Sequence, residues 1–345
     1  MSDFQAASPQ RAALMEISLP MSAVDSPLAL IVPDCLETAR VSDDAMGRAY
    51  AATGDRGRAI IKTCIAGLFR AHADQAASTV TARRFHDGSS RIQEEFPLPW
   101  FALAVGPRVL APAQVVAAVL PAVARRLPLA LAARPTGLGL PGSGAGGRSW
   151  PPALLAALEL CGVENVFSPS AKDFFQALRE LAEAHGPGAL ACLGSRPFFE
   201  RLRRGAEGLC RLAWLEPPAA IGVIPAPGLS WDRETLAVAH AGVDIVELSS
   251  SREVPATSGV QAAADSIAPG KATDETEENA LTQNASSSEG VATLAASSLP
   301  WAVLAPGQAA PPSFARLVLE PGREALWDWP DMPGDLFISR RLVYS

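Results

Sequence analysis

A three-layer α/β/α protein built on a mostly parallel sheet is the fold this sequence predicts, and three observations predict it. Apolar runs without polar alternation recur at residues 101–105, 128–133 and 189–193, and 163–167 reads as a further strand among them. Segments with helical apolar spacing separate them, and the connections are short. Strands buried on both faces read as unbroken apolar runs, and helices on the two sides of a parallel sheet supply that burial.

Taken in order, residues 1–95 read as an N-terminal strand and helical arm. The run 28–32 is stopped by Pro33-Asp34, and helices are expected over 45–52 and 56–77. In the second helix Ile60, Ile61, Cys64, Ile65 and Leu68 share one face, with Arg56, Arg58, Lys62 and Arg70 opposite. Residues 96–250 form the α/β core. Residues 113–126 form a helix, and 151–161 another, with prolines at its start and Gly162 just past its end. Ser170 is the expected N-cap of a helix over 173–184, which stops at His185-Gly-Pro-Gly188. A helix over 198–204, a strand over 219–224, a helix over 232–240 and a strand over 244–248 continue the rhythm.

Composition then changes. Residues 251–299 hold no aromatic residue and are rich in Ser, Thr, Ala and Glu. Such a stretch does not bury enough apolar surface to offset chain entropy, so a disordered acidic insertion is expected there. It carries seven acids and two bases, a net of −5, which leaves −2 of the overall −7 for the rest of the chain. A near-neutral body gives no electrostatic case for nucleic acid. No apolar run is long enough to span a bilayer, so no membrane partner is expected. The first residues lack a basic stretch followed by an apolar core, and the five cysteines form no CxxC pair. Both features point to a cytoplasmic protein with reduced thiols. Residues 300–345 resume order as an aromatic tail with Trp327, Trp329, Phe337 and Tyr344, expected to dock on the core.

The loop Gly137-Leu-Gly-Leu-Pro-Gly-Ser-Gly-Ala-Gly-Gly147 contains a formal G-x-G-x-x-G at Gly142, Gly144 and Gly147. It follows a strand and precedes a helix, as a dinucleotide fingerprint does. The spacing is long, however, and no acidic residue ends the following strand, which favours a flexible loop. There is no G-x-S-x-G and no Walker A lysine.

The order of elements over residues 101–250 resembles the first domain of histidinol dehydrogenase, within the aldehyde-dehydrogenase-like group. The residues that carry it are Ala102-Leu-Ala-Val-Gly-Pro-Arg-Val-Leu-Ala-Pro112, Leu129-Ala-Leu-Ala-Ala-Arg-Pro135, Pro152-Ala-Leu-Leu-Ala-Ala-Leu-Glu-Leu-Cys-Gly-Val-Glu-Asn-Val-Phe167, Ser170-Ala-Lys-Asp-Phe-Phe-Gln-Ala-Leu178, Pro217-Pro-Ala-Ala-Ile-Gly-Val-Ile224 and Leu236-Ala-Val-Ala-His-Ala-Gly-Val-Asp244. The resemblance implies a Rossmann-like core and an NAD- or NADP-linked oxidoreductase. It also implies a small-molecule or nucleotide ligand, and it admits a homodimer. Cofactor contacts would come from Gly106, Arg108, Arg134, Gly194 and Arg196, on the turns after successive strands. His240 matches a zinc-binding histidine of the family, but the glutamine three residues before it is Ala237 here, so zinc is not expected. The family's acid–base pair belongs to a second half that this chain replaces with the acidic run and the aromatic tail. His240 and Cys192 remain as catalytic candidates, the latter as a thiol activated by Arg196. Beside the oxidoreductase stands the alternative of a non-catalytic binding or interaction protein on a degenerate dehydrogenase fold.

Overall fold

The computed structural model describes residues 32–72, 78–138, 149–225, 228, 230–248, 302–306 and 315–344. The acidic stretch 251–299, the fingerprint glycines 142, 144 and 147, and nearly all of the run 28–32 lie outside these residues.

A five-stranded parallel sheet organises the chain, in the order β5 (Asn165–Phe167), β4 (Leu129–Ala133), β3 (Trp100–Val105), β6 (Gly188–Leu193), β7 (Cys210–Leu215). Alternation along β3 decides the layers. Phe101, Leu103 and Val105 join one apolar cluster, while Trp100, Ala102 and Ala104 join the other. The first cluster is completed by α3 (Gly54–His72), α4 (Pro112–Ala124) and α5 (Pro152–Leu160). The second is completed by α1 (Asp34–Glu37), α6 (Ala171–His185) and α7 (Arg196–Gly205). The sheet is therefore the middle of three layers, and the winding reverses between β3 and β6. Helix α2 (Asp43–Ala52) lies beside α5. Ser170 caps α6 by accepting from the Asp173 N–H, at 3.2 Å.

Two strands expected in this sheet stand elsewhere. β8 (Ala220–Val223) and β9 (Asp244–Glu247) form a second parallel sheet with β10 (Ala302–Leu304) and β11 (Leu317–Leu319), in the order β11-β10-β8-β9. Two prolines, Pro217 and Pro218, follow β7, and neither has an N–H to continue a ladder. Helix α8 (Arg233–Ala239) joins β8 to β9. A third sheet is antiparallel: β1 (Thr79–Arg84), β2 (Ser90–Pro97) and the last strand β12 (Ile338–Tyr344), with Glu95 of β2 bonded to Arg340 of β12 at 2.8 Å. Ahead of β12, Trp327, Trp329 and Phe337 are buried, whereas Tyr344 is two-thirds exposed.

One position shows how tightly the two faces are filled. Gly188 opens β6 beneath the Trp100 indole, whose Nε1 donates to the Gly186 carbonyl at 3.0 Å. A Cβ at Gly188 would fall well inside contact distance of three indole ring carbons. Trp100 is fully buried and has no room to swing. Gly188→Ala is expected to destabilise by about 1–3 kcal/mol through overpacking, read as a lower urea midpoint at unchanged slope.

Candidate functional site

Ligands of open α/β sheets lie beyond the carboxyl ends of the strands, at the point where the winding reverses. Here that point falls between the turns after β3 and β6, which carry Gly106 and Gly194. The Gly106 N–H donates to the Leu193 carbonyl at 2.8 Å. A Cβ on Gly106 would sit 3.2 Å from that oxygen and 3.3 Å from the Gly194 Cα. A Cβ on Gly194 would lie 2.9 Å from the Phe198 ring, in the first turn of α7. The Gly194 carbonyl accepts from Trp214 Nε1 at 2.9 Å. These glycines permit two turns of the chain to touch under an aromatic cover. Arg108 and Arg196 stand exposed on the turns beyond.

Arg134 is different. It follows β4, is 2% exposed, and its backbone N–H donates to Phe167 O at 3.0 Å. Its Nη2 donates to the Pro107 carbonyl at 2.6 Å, tying together the turns after β3, β4 and β5. Nε and Nη1 are buried and have no acceptor. The guanidinium lies 5.9 Å from the centroid of the Trp150 ring, and Trp150 Nε1 is held by Phe167 O at 3.2 Å. Desolvation lowers the arginine pKa, yet a guanidinium stays protonated in a protein. The result is a buried cation with two unmatched donors and no carboxylate partner among the described residues. An isolated buried charge costs several kcal/mol unless it is paired. Sequence reasoning reached Arg134 as a strand-end arginine. It missed Trp150, whose only signal is an aromatic residue just before the paired prolines that start α5.

The two catalytic candidates, Cys192 and His240, are both buried. Cys192 points from β6 into the cluster beneath α6 and α7, fully buried, and burial raises its pKa instead of lowering it. Arg196 is exposed at the start of α7 and does not activate it. The same desolvation pushes the Cys64 and Cys210 thiols up to about 12. His240 caps the C-terminus of α8 and is 1% exposed. Its Nε2 lies 2.8 Å from the Glu324 carbonyl, its ring packs 5.3 Å from Trp327, and Nδ1 has no partner. Burial lowers its pKa to about 4. A neutral imidazole sealed under the tail is neither a cation on the helix dipole nor an exposed base. Among the described residues no three His, Cys, Asp or Glu side chains gather to hold a metal ion. Among the same residues no helix is long and apolar enough to cross a membrane.

No family model matches this chain, and no curated protein does. Solved structures similar to part of it include histidinol dehydrogenase from Elizabethkingia anophelis, at 16% identity and TM-score 0.44 over 63% of this chain and 49% of that one. An aldehyde dehydrogenase from Brucella melitensis is similar at 14% identity and TM-score 0.35, over 52% of this chain and 37% of that one. PnpE, solved with nicotinamide adenine dinucleotide, is similar at 12% identity and TM-score 0.34, over 52% and 38%. The chain spans about half the length of the histidinol dehydrogenase it matches. At these values the likeness assigns neither a family nor an activity.

Proposed function

We propose that this chain is a non-catalytic binding protein on a dehydrogenase-like α/β fold, in which Arg134 receives the anionic group of a small ligand. The buried guanidinium with two unmatched donors carries this reading. NAD and NADP are the first ligands to examine, because the oxidoreductase reading places their phosphates at the same carboxyl edge. Against a dinucleotide at the glycine turns stands the Phe198 ring, which packs over both Gly106 and Gly194. In this reading a single phosphate or carboxylate is taken up by Nε and Nη1 of Arg134, which requires the turns around it to open, since both atoms are shut from solvent. The oxidoreductase reading in addition needs an acid, base or thiolate at that edge, and His240 and Cys192 are sealed away from solvent.

Calorimetric titration with NAD, NADP and inorganic phosphate tests this. Saturable binding of at least one is expected, lost in Arg134→Met. The methionine keeps an apolar stem beside Trp150 and removes the buried charge. Without ligand the variant is expected to be as stable as the parent or about 1 kcal/mol more so, the reverse of an ordinary core substitution. Failure of all three probes to bind, or equal binding by the variant, would overturn the reading.

A further inference from the structure

The antiparallel sheet ends in a hairpin whose tip gathers positive charge. No residue of β1 or β2 is fully buried, and all of β1 except Val80 is exposed. The register sets Arg83 of β1 directly opposite Arg91 of β2, and Tyr344 of β12 flanks Arg91 in the same row. Like charges directly opposite each other weaken a strand pair. Arg84 adds a third cation at the tip, on the other face. Asp87 is the one acid among residues 83–91, so they carry +2, whereas the chain outside the acidic stretch totals −2. The nearby carboxylates are engaged elsewhere. Glu95 is bonded to Arg340 at 2.8 Å, Glu94 lies 3.7 Å from Arg341, and Asp87 accepts from the Ser89 N–H and hydroxyl. Arg91 donates to Gln93 Oε1 at 3.0 Å, and Arg83 lies 5.5 Å over the Phe85 ring. Among the described residues no carboxylate pairs with any of the three arginines. A charged edge does guard a sheet against stray pairing. That purpose is served by one outward cation and does not call for two facing each other.

The complementary charge is present in the same chain. Asp274, Glu275, Glu277 and Glu278 place four carboxylates within five residues, and no Lys or Arg occurs between Lys271 and Arg316. Residues 249–273 connect this run to β9 and residues 279–301 connect it to β10, each link more than twenty residues long. At about 3.3 Å per residue either link can reach about 65 Å, beyond the width of about 45 Å expected for a folded body of this size. We propose that the acidic run 274–278 docks on the hairpin tip of its own chain, its carboxylates set against Arg83 and Arg91. Exposed ion pairs are individually weak, but the tether raises the local concentration of the run, so a few such pairs suffice. The contact does not involve Arg134.

Carbodiimide coupling tests this in the full chain, because it joins a lysine amine to a carboxylate in contact with it. Arg83→Lys and Arg91→Lys each supply the amine and keep the charge. Lys62 on α3 and Lys172 on α6 are exposed and report chance encounters. At low salt, mass spectrometry is expected to find links from position 83 or 91 to the run 274–278 at about five times the yield of links from Lys62 or Lys172. At about 1 M sodium chloride, where screening is nearly complete, the yield should fall to that of the two references. Mixing isotopically heavy and light chains separates links within a chain from links between copies. The proposal is overturned by yields no higher than the references, by yields that salt leaves unchanged, or by links formed only between copies, which would make a second copy the occupant.

Discussion

Trp327→Ala is expected to destabilise the protein by about 3–5 kcal/mol, the range for deleting a fully buried large aromatic side chain. Trp327 has no exposed surface and lies where several elements meet. Its ring is 5.6 Å from Trp329 and 5.3 Å from His240, and its backbone is bonded to the Cys64 thiol of α3. Trp329 in turn donates Nε1 to the Gln114 carbonyl of α4 at 3.1 Å. Further along, Phe337 meets Phe101 of the central strand edge-on at 5.3 Å. These contacts pack the tail against α3, α4 and the central strand, within the same apolar cluster. Tyr344→Ala, at the exposed end of β12, is the matched comparison and should change stability by less than about 0.5 kcal/mol. Urea unfolding of the two variants separates the cases. If Trp327→Ala shifted stability by no more than Tyr344→Ala does, the tail would not be packed as described.

The central sheet was legible because its strands are buried on both faces, so that 101–105, 129–133 and 189–193 carry no polar residue to confuse a strand with a loop. β7 was not legible for the converse reason. It lies at the sheet edge, and Arg211 interrupts its apolar pattern by reaching out to the carbonyls of Asp335 and Ile338. β8 and β9 were read as strands, but their sheet was not. Their neighbour β10 lies beyond the acidic stretch, and pairing across such a distance leaves no local signature. The site divides in the same way. That arginine 134 follows a strand is a local fact. Its burial depends on Trp150 and Pro107, from two other turns, and periodicity does not encode their meeting. Cys192 misled because a strand-end position does not say which face the side chain takes. His240 misled because a helix-end position does not show that residues 324–327 cover it.

Stability is expected to fall by about 2 kcal/mol between pH 7 and pH 5 on account of His240 alone. The folded imidazole has its pKa lowered from 6.5 to about 4, with burial as the main cause and the bond to Glu324 O opposing it. The unfolded chain thus binds a proton near pH 6.5 that the folded chain refuses until about pH 4. Stability is fully present above pH 6.5, declines as pH falls between these two values, and levels off below the lower one. The structural reason is visible at Nδ1. Protonation would place an N–H with no acceptor, and a net charge, against the Trp327 ring in the core. Carboxylates also titrate in acid, so His240→Gln is the reference. It removes the titration and retains a side-chain amide that can donate towards Glu324 O. Urea midpoints at several pH values should converge for parent and variant as pH falls from 7 to 5, since only the parent bears the histidine penalty. Parallel curves would mean that His240 is accessible to protons in the folded state, and that the tail does not cover it.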